Sequence, residues 1–248
     1  LLYLFVIPVF KGFALEDGPI ETGSFVLLLG SSAMFVGSVI RCHKRDEVPR
    51  FVCWAMAILA AAFFVMAMEE VSWFQRVVGF STPEGFAENS QGEFNLHNLE
   101  TNLIEHMYYL GAFVFTGVLP FLRGLSRLPI RNRFFLLLVP QPFVALPGCV
   151  PCSYMYGMWN GLLMQGAFWT AVCILVVFAL FATNKTDRWL ILLVLCIVVL
   201  SQVAFQTKGG WDLRCEAHEY REFLMPLAFL AYAVSVFREL GKRQDAEH

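Results

Sequence analysis

Phe51-Val-Cys-Trp-Ala-Met-Ala-Ile-Leu-Ala-Ala-Ala-Phe-Phe-Val-Met-Ala-Met68, followed at once by Glu69-Glu70-Val71-Ser72-Trp73-Phe74-Gln75-Arg76, decides how this chain is to be read. The apolar run carries no charge and is close to the ~20 residues that a helix needs to cross a bilayer. It does not alternate apolar and polar residues, so it does not read as a barrel strand. A lone strand in lipid would leave backbone groups unpaired, so the segment is a membrane helix. Two carboxylates, a serine, a tryptophan, a glutamine and an arginine then stand where that helix leaves the lipid. Ionisable groups at such a place are costly and mark function.

Composition extends this reading to the whole chain. Of 248 residues, 58% are hydrophobic and only 15% charged, with 25 Phe. A soluble domain carries about 25% charged residues. A net charge of -2 and the absence of a basic stripe exclude a nucleic-acid partner. Eight apolar segments follow one another: 1–15, 24–40, 51–68, 103–122, 134–146, 158–181, 189–204 and 223–237. The first reads as a membrane helix rather than a signal peptide, because no small-residue cleavage site follows it. The fifth is short and carries Pro140, Pro142 and Pro147, which predicts a kinked or re-entrant helix. The expected architecture is all-α: one integral membrane domain over 1–248, a polytopic bundle of about eight spans. No repeat relates one span to another, so an inverted-repeat transporter is not indicated.

The loops orient the bundle. Arg41, Lys44, Arg45 and Arg50, then Arg123, Arg127, Arg131 and Arg133, then Lys185 and Arg188, then Arg238, Lys242 and Arg243 all fall on one side, 13 of the 18 basic residues. The positive-inside rule makes that side cytoplasmic and puts both termini there. The opposite side is acidic. It gathers Glu16, Asp17 and Glu21, then Glu69, Glu70, Glu84, Glu88, Glu93, Glu100 and Glu105, then Asp212, Glu216, Glu219 and Glu222. Two polar loops, 80–101 and 207–221, lie on that outer face.

The candidate chemistry sits there. Glu69, Glu70, Gln75, Arg76, Asn98 and Glu219 form the expected catalytic set, with a carboxylate as general acid or base. His97, His106 and His218 share the same side and are the candidate ligands of a divalent metal such as zinc. There is no HExxH and no Glu-x-x-His pair, so neither a thermolysin-like nor a di-iron site is indicated. No P-loop or dinucleotide fingerprint occurs. If 215–222 is helical, Cys215, His218, Glu219 and Glu222 share one face, and Glu219 and Glu222 point toward Glu69, Glu70 and His106. Crowded carboxylates repel one another, and a proton, an arginine or a metal relieves them. The plainer readings are that Glu70 accepts bonds from Trp73 or Arg76, that Glu100 and Glu222 are solvated, and that Trp73, Trp159, Trp189 and Trp211 are interfacial anchors.

Seven cysteines are present. Cys53, Cys173 and Cys196 fall in spans and read as packing residues, and Cys42 is on the basic side. Cys149, Cys152 and Cys215 are on the outer side, where a disulfide is expected, either within Cys149-Val-Pro-Cys152 or from one of these to Cys215.

Glu69-Glu70-x-Ser72-Trp73-x-Gln75-Arg76, then Thr82-Pro83-Glu84, then Gln91-Gly92-Glu93-x-Asn95-Leu96-His97-Asn98, resembles a pattern in bacterial polytopic membrane proteins of unassigned function. The resemblance covers residues 69–98. It implies a bacterial cytoplasmic membrane with the polar site on the periplasmic side, and it brings no reaction with it. Three functions follow from the residues: a membrane-embedded enzyme acting on a lipid or lipid-linked substrate, a proton- or cation-coupled transporter, and a non-catalytic subunit held among other membrane subunits.

Overall fold

The computed structural model describes residues 18–82, 101–128, 130, 132–154, 161–208 and 211–245, with the side chains at 76, 101–106, 133, 208, 211–218 and 242–245 outside that description. Every regular element among these residues is helical. The elements are α1 (Pro19–His43), α2 (Arg50–Glu70), α3 (Gln75–Val78), α4 (Thr101–Phe113), α5 (Leu119–Gly124), α6 (Arg133–Leu138), α7 (Ala145–Cys149), α8 (Gly161–Phe181), α9 (Lys185–Lys208) and α10 (Trp211–Asp245). Six stretches are long and apolar enough to cross a membrane: Pro19–His43, Arg50–Glu70, Phe134–Tyr154, Gly161–Phe181, Lys185–Thr207 and Glu219–Gly241. Expected segment 1–15 lies outside the described residues. Expected segment 103–122 is helical but not among the six.

Helix α1 packs between α2 and α10. Its sequence explains why. Gly-Ser recurs every seven residues, as Gly23-Ser24, Gly30-Ser31 and Gly37-Ser38. Each serine is buried and donates to the carbonyl four residues back: Ser24 to Ile20 at 3.1 Å, Ser31 to Leu27 at 2.8 Å and Ser38 to Met34 at 2.9 Å. The hydroxyls are thereby satisfied within the helix. The glycines face Phe223, Leu230 and Phe237 of α10; a Cβ at these glycines would come within 2.7, 3.5 and 2.9 Å of those side chains. Both sets step by seven and both rise together, so α1 and α10 run parallel. Lipid gives no hydrophobic drive for helix pairing, and small residues that admit close contact replace it. A period of seven also keeps the seam facing its partner along the whole length.

Helix α2 runs the other way. Ser32 donates to the Ala60 carbonyl at 2.8 Å, Phe35 stacks on Phe63 with centroids 5.7 Å apart, and Phe25 meets Phe74 edge-on at 5.7 Å. At the basic end the turn between α1 and α2 is closed by a disulfide between Cys42 and Cys53, with Cα atoms 5.9 Å apart. Cys149 and Cys152 are free thiols, both buried. The expected outer-face pairing of these two is therefore corrected, and so is the reading of Cys53 as a packing residue. A CxxC spacing by itself does not make a disulfide. The short hairpin between α1 and α2 brings Cys42 and Cys53 together.

The run from α4 through α5 lies alongside α10 in parallel, since Tyr109 meets Glu222, Phe115 meets Tyr232 and Arg123 meets Glu239. Between α4 and α5 the helix widens into one π turn, Val114–Val118. Pro120 explains it, because a proline ring clashes with the carbonyl four residues earlier, here Thr116. Gly148 packs against this turn so closely that a Cβ there would lie 2.5 Å from the Thr116 oxygen.

The proline-rich fifth segment reaches to Tyr154, further than expected, and is broken into α6, a 3-10 turn Pro142–Val144, α7 and a second 3-10 turn Val150–Tyr154. Pro140 and Pro142 remove the amides that would cap the carbonyls of Leu136 and Leu138. Side chains replace them. Arg123 Nη1 donates to Leu136 at 2.7 Å and also to the Val139 carbonyl, and Tyr232 Oη donates to Leu138 at 2.7 Å. Arg123 is in turn held by Glu239 at 3.5 Å.

Two measurements check this packing. The Phe237 ring is pinned by the Arg41 guanidinium, 3.5 Å above it, so it cannot swing away from a new methyl group. Gly37→Ala is expected to destabilise by about 1–3 kcal/mol, whereas Gly30→Ala stays within about 0.5 kcal/mol of the native protein; thermal unfolding in detergent reads both. Non-reducing peptide mapping is expected to recover the Cys42 and Cys53 peptides linked. Replacing both by Ser should cost about 3 kcal/mol, the loop-closure entropy of the short bridged segment, if they close the hairpin as described.

Candidate functional site

The acidic ends of α1, α2 and α10 meet because α2 is antiparallel to two parallel partners. Glu21 stands in the first turn of α1, Glu70 ends α2, and Glu219 and Glu222 lie near the start of the apolar stretch of α10. Glu21, Glu219 and Glu222 are all within Coulombic reach of the Glu70 carboxylate. Four carboxylates from three helices thus share one neighbourhood. Two tyrosines of α4 and one arginine of α10 complete it. Tyr109 Oη donates to Glu222 Oε1 at 2.6 Å, and the Arg221 guanidinium lies 3.4 Å above the Tyr109 ring. Tyr108 sits beside it, within Coulombic reach of Glu70, Glu222 and Arg221.

Arg221 is only 2% exposed. A charge so deeply withdrawn is retained only where opposite charge and a polarisable neighbour compensate it. Here the carboxylates and the Tyr109 face do so. The site as a whole keeps more acidic than basic groups among the described side chains. It attracts protons, cations and hydroxyl-rich molecules rather than anions.

The stretch after α2 is bent sharply. Ser72, Trp73 and Phe74 have φ of 44°, 54° and 58°, three consecutive non-glycine residues in the left-handed region. Such residues cost about 1 kcal/mol or more each and persist only where their surroundings hold them. The anchors are visible. Ser72 is buried, Trp73 Nε1 donates to Glu69 Oε1 at 2.7 Å, Phe74 packs on Phe25, and Gln75 Nε2 donates to Thr82 Oγ1 at 2.8 Å. The turn folds the chain back over the acidic end of the bundle.

The expected site residues fall as follows. Glu69 takes the Trp73 indole, so the bond expected at Glu70 goes to its neighbour. Trp73 is accordingly more than an interfacial anchor. Glu70 and Glu219 enter the carboxylate cluster. Gln75 holds Thr82 and stands in α3 with Arg76, whose side chain is outside the description. Glu222, expected to be solvated, is partly buried and bonded to Tyr109. Asn98 and His97 lie outside the described residues, as does Glu100. His106 and His218 stand in α4 and α10, and their side chains are outside the description. Among the described residues there is no group of three His, Cys, Asp or Glu side chains placed to hold a metal.

Tyr109 and Tyr108 were not read from the sequence, whereas an arginine to relieve the carboxylates was expected and Arg221 stands there. A tyrosine pair in an apolar span gives only a weak signal, and nothing local shows that it will meet a carboxylate 113 positions away. No family model, curated protein or solved structure matches the chain.

The Tyr109–Glu222 contact is measurable. A double-mutant cycle of Tyr109→Phe and Glu222→Gln, followed by unfolding in detergent, is expected to show a coupling of about 0.5–3 kcal/mol. Strict additivity would mean that the two groups do not hold each other.

Proposed function

We propose that the protein is a membrane-embedded enzyme whose carboxylate cluster acts on a lipid or lipid-linked substrate at the level of the headgroups. The observation that carries this reading is the assembly of Glu70, Glu222, Tyr109 and Arg221 from three helices at one end of the bundle. There a site meets both water and the polar part of a lipid. Carboxylates of a coupled transporter belong nearer the middle of the spans.

In this reading Glu70 removes a proton from a substrate hydroxyl or from water and returns it to the leaving group. Tyr109 fixes Glu222, and Arg221 compensates the local negative charge. We take the acidic face as the outer one, because the basic residues gather at the other end; the Cys42–Cys53 bridge then stands on the cytoplasmic side, where thiols are ordinarily kept reduced. The chain has about eight spans, counting 1–15 and 103–122, with both termini on the cytoplasmic side. The resemblance over 69–98 makes the membrane the bacterial cytoplasmic one and the acidic face periplasmic. His97, His106 and His218 are the ligands we propose for a divalent metal, zinc being the class their nitrogens suit.

Lipid mass spectrometry of membranes from cells expressing the protein tests the reading. The native chain is expected to alter the abundance of at least one lipid or lipid-linked class. Glu70→Gln should lower that conversion by about a hundredfold or more while the thermal midpoint is retained. Identical profiles for the native chain, the variant and cells without the protein would remove the enzyme reading.

A further inference from the structure

One buried polar group in the same half of the bundle is left unexplained by the carboxylate cluster. Gln202 lies on α9 between Val198 and Phe205, at steps of four and three, and all three are buried. Gln202 is 5% exposed, and among the described residues neither its Oε1 nor its Nε2 has a hydrogen-bond partner. A buried amide with both ends unmet costs several times what a single hydrogen bond contributes, and native structures keep such groups only where something else meets them.

Its surroundings lead toward the site. On the preceding position of α9, Ser201 lies beside the Tyr154 hydroxyl. Phe205, one turn on from Gln202, packs on the Tyr154 ring with centroids 5.1 Å apart, and Tyr154 stacks on Tyr220 at 6.3 Å. Tyr220 immediately precedes Arg221, which covers Tyr109. The ring contacts from Phe205 through Tyr154 to Tyr220 thus run from the turn of α9 that carries Gln202 to the turn of α10 that carries Arg221. It is five residues inside the Thr207 end of its span, which is about 7.5 Å along a helix. A lipid whose headgroup meets the acidic end carries its linkage groups, ester or amide carbonyls and backbone hydroxyls, at that depth.

We propose that the Gln202 carboxamide anchors a second subsite for the linkage region of a lipid that bears both a carbonyl and a hydroxyl. Nε2 donates to the carbonyl and Oε1 accepts from the hydroxyl. A ligand lacking either group leaves one end of the amide unmet, so the subsite selects for the pair. The assignment rests on the lipid reading of the carboxylate cluster and adds the chemical class of the substrate.

The test uses the full chain in phosphatidylcholine vesicles doped either with 1-oleoylglycerol, which has the carbonyl and hydroxyls, or with methyl oleate, which has only the carbonyl. Mass spectrometry then reads the lipid retained after purification. The native chain is expected to retain 1-oleoylglycerol over methyl oleate. Gln202→Met and Gln202→Leu should lower that retention about tenfold, the loss of two net hydrogen bonds, with thermal midpoints in lipid-free detergent equal to or above that of the native chain. The lipid profiles of expressing cells test the catalytic reading separately, so retention by the Gln202 variants is read whether or not conversion is seen. Equal retention of the two lipids by the native chain, as when water alone occupies the amide, overturns the proposal. So does unchanged retention in both Gln202 variants, or a fall in both midpoints, which would show the amide to be tied within the protein.

Discussion

The close approach of α1 to α10 is the constraint on which the rest of the architecture depends. Glycine at 23, 30 and 37 lets the aromatic and leucine side chains of α10 lie against the α1 backbone. Serine beside each glycine adds polar groups at no cost to the lipid, since each hydroxyl returns to its own helix. With α1 and α10 fixed in parallel, the antiparallel α2 must bring its C-terminal carboxylates to the same end as Glu21 and Glu222. The site is a consequence of helix direction. Its position needs no loop to define it.

Charge segregates along the same axis. Arg41, Arg123 and Glu239 organise the other end, where they hold carbonyls and one another. The disulfide between Cys42 and Cys53 closes that end covalently. One pole of the bundle is thus tied by covalent and ionic contacts that are used up in structure. The other carries an excess of carboxylates, a strained turn at Ser72–Phe74 and an amide at Gln202 without a partner among the described residues. The covalent and ionic ties and the excess of carboxylates thus stand at opposite ends of the same helices.

Much of this was open to a reading of the residues. Long apolar runs gave the membrane helices, because a bilayer permits few other structures. The prolines at 140, 142 and 147 foretold a broken segment, though its extent to Tyr154 depended on side chains from elsewhere that cap the freed carbonyls. Helical spacing over 215–222 led to the expectation that Glu219 stands near Glu70, and the two are within Coulombic reach of each other. What escaped was of two kinds. The Gly-Ser heptad of α1 is written plainly in the sequence, but it has meaning only once the partner helix repeats with the same step. The bond from Tyr109 to Glu222, the choice of Cys53 by Cys42 and the left-handed turn at Ser72 arise from tertiary contact, and no local preference encodes them. Serine, tryptophan and phenylalanine have no intrinsic liking for positive φ.

The broken fifth segment carries an implication for how such a chain changes over time. Pro142 is tolerated because Tyr232, ninety-four positions from Leu138, supplies that carbonyl with the donor that the proline lacks. Arg123 adds a donor at the Leu136 carbonyl, which Pro140 cannot reach and which the Val139 amide meets at 3.2 Å. Each proline and its distant donor form a pair whose members have unequal value apart. Losing the tyrosine first leaves an orphaned carbonyl in lipid, while losing the proline first restores a helical amide and frees the tyrosine to drift. The permitted order of substitution is therefore one-way. Descendants of this chain should shed their prolines before their donors, and a lineage that keeps Pro142 is held to Tyr232.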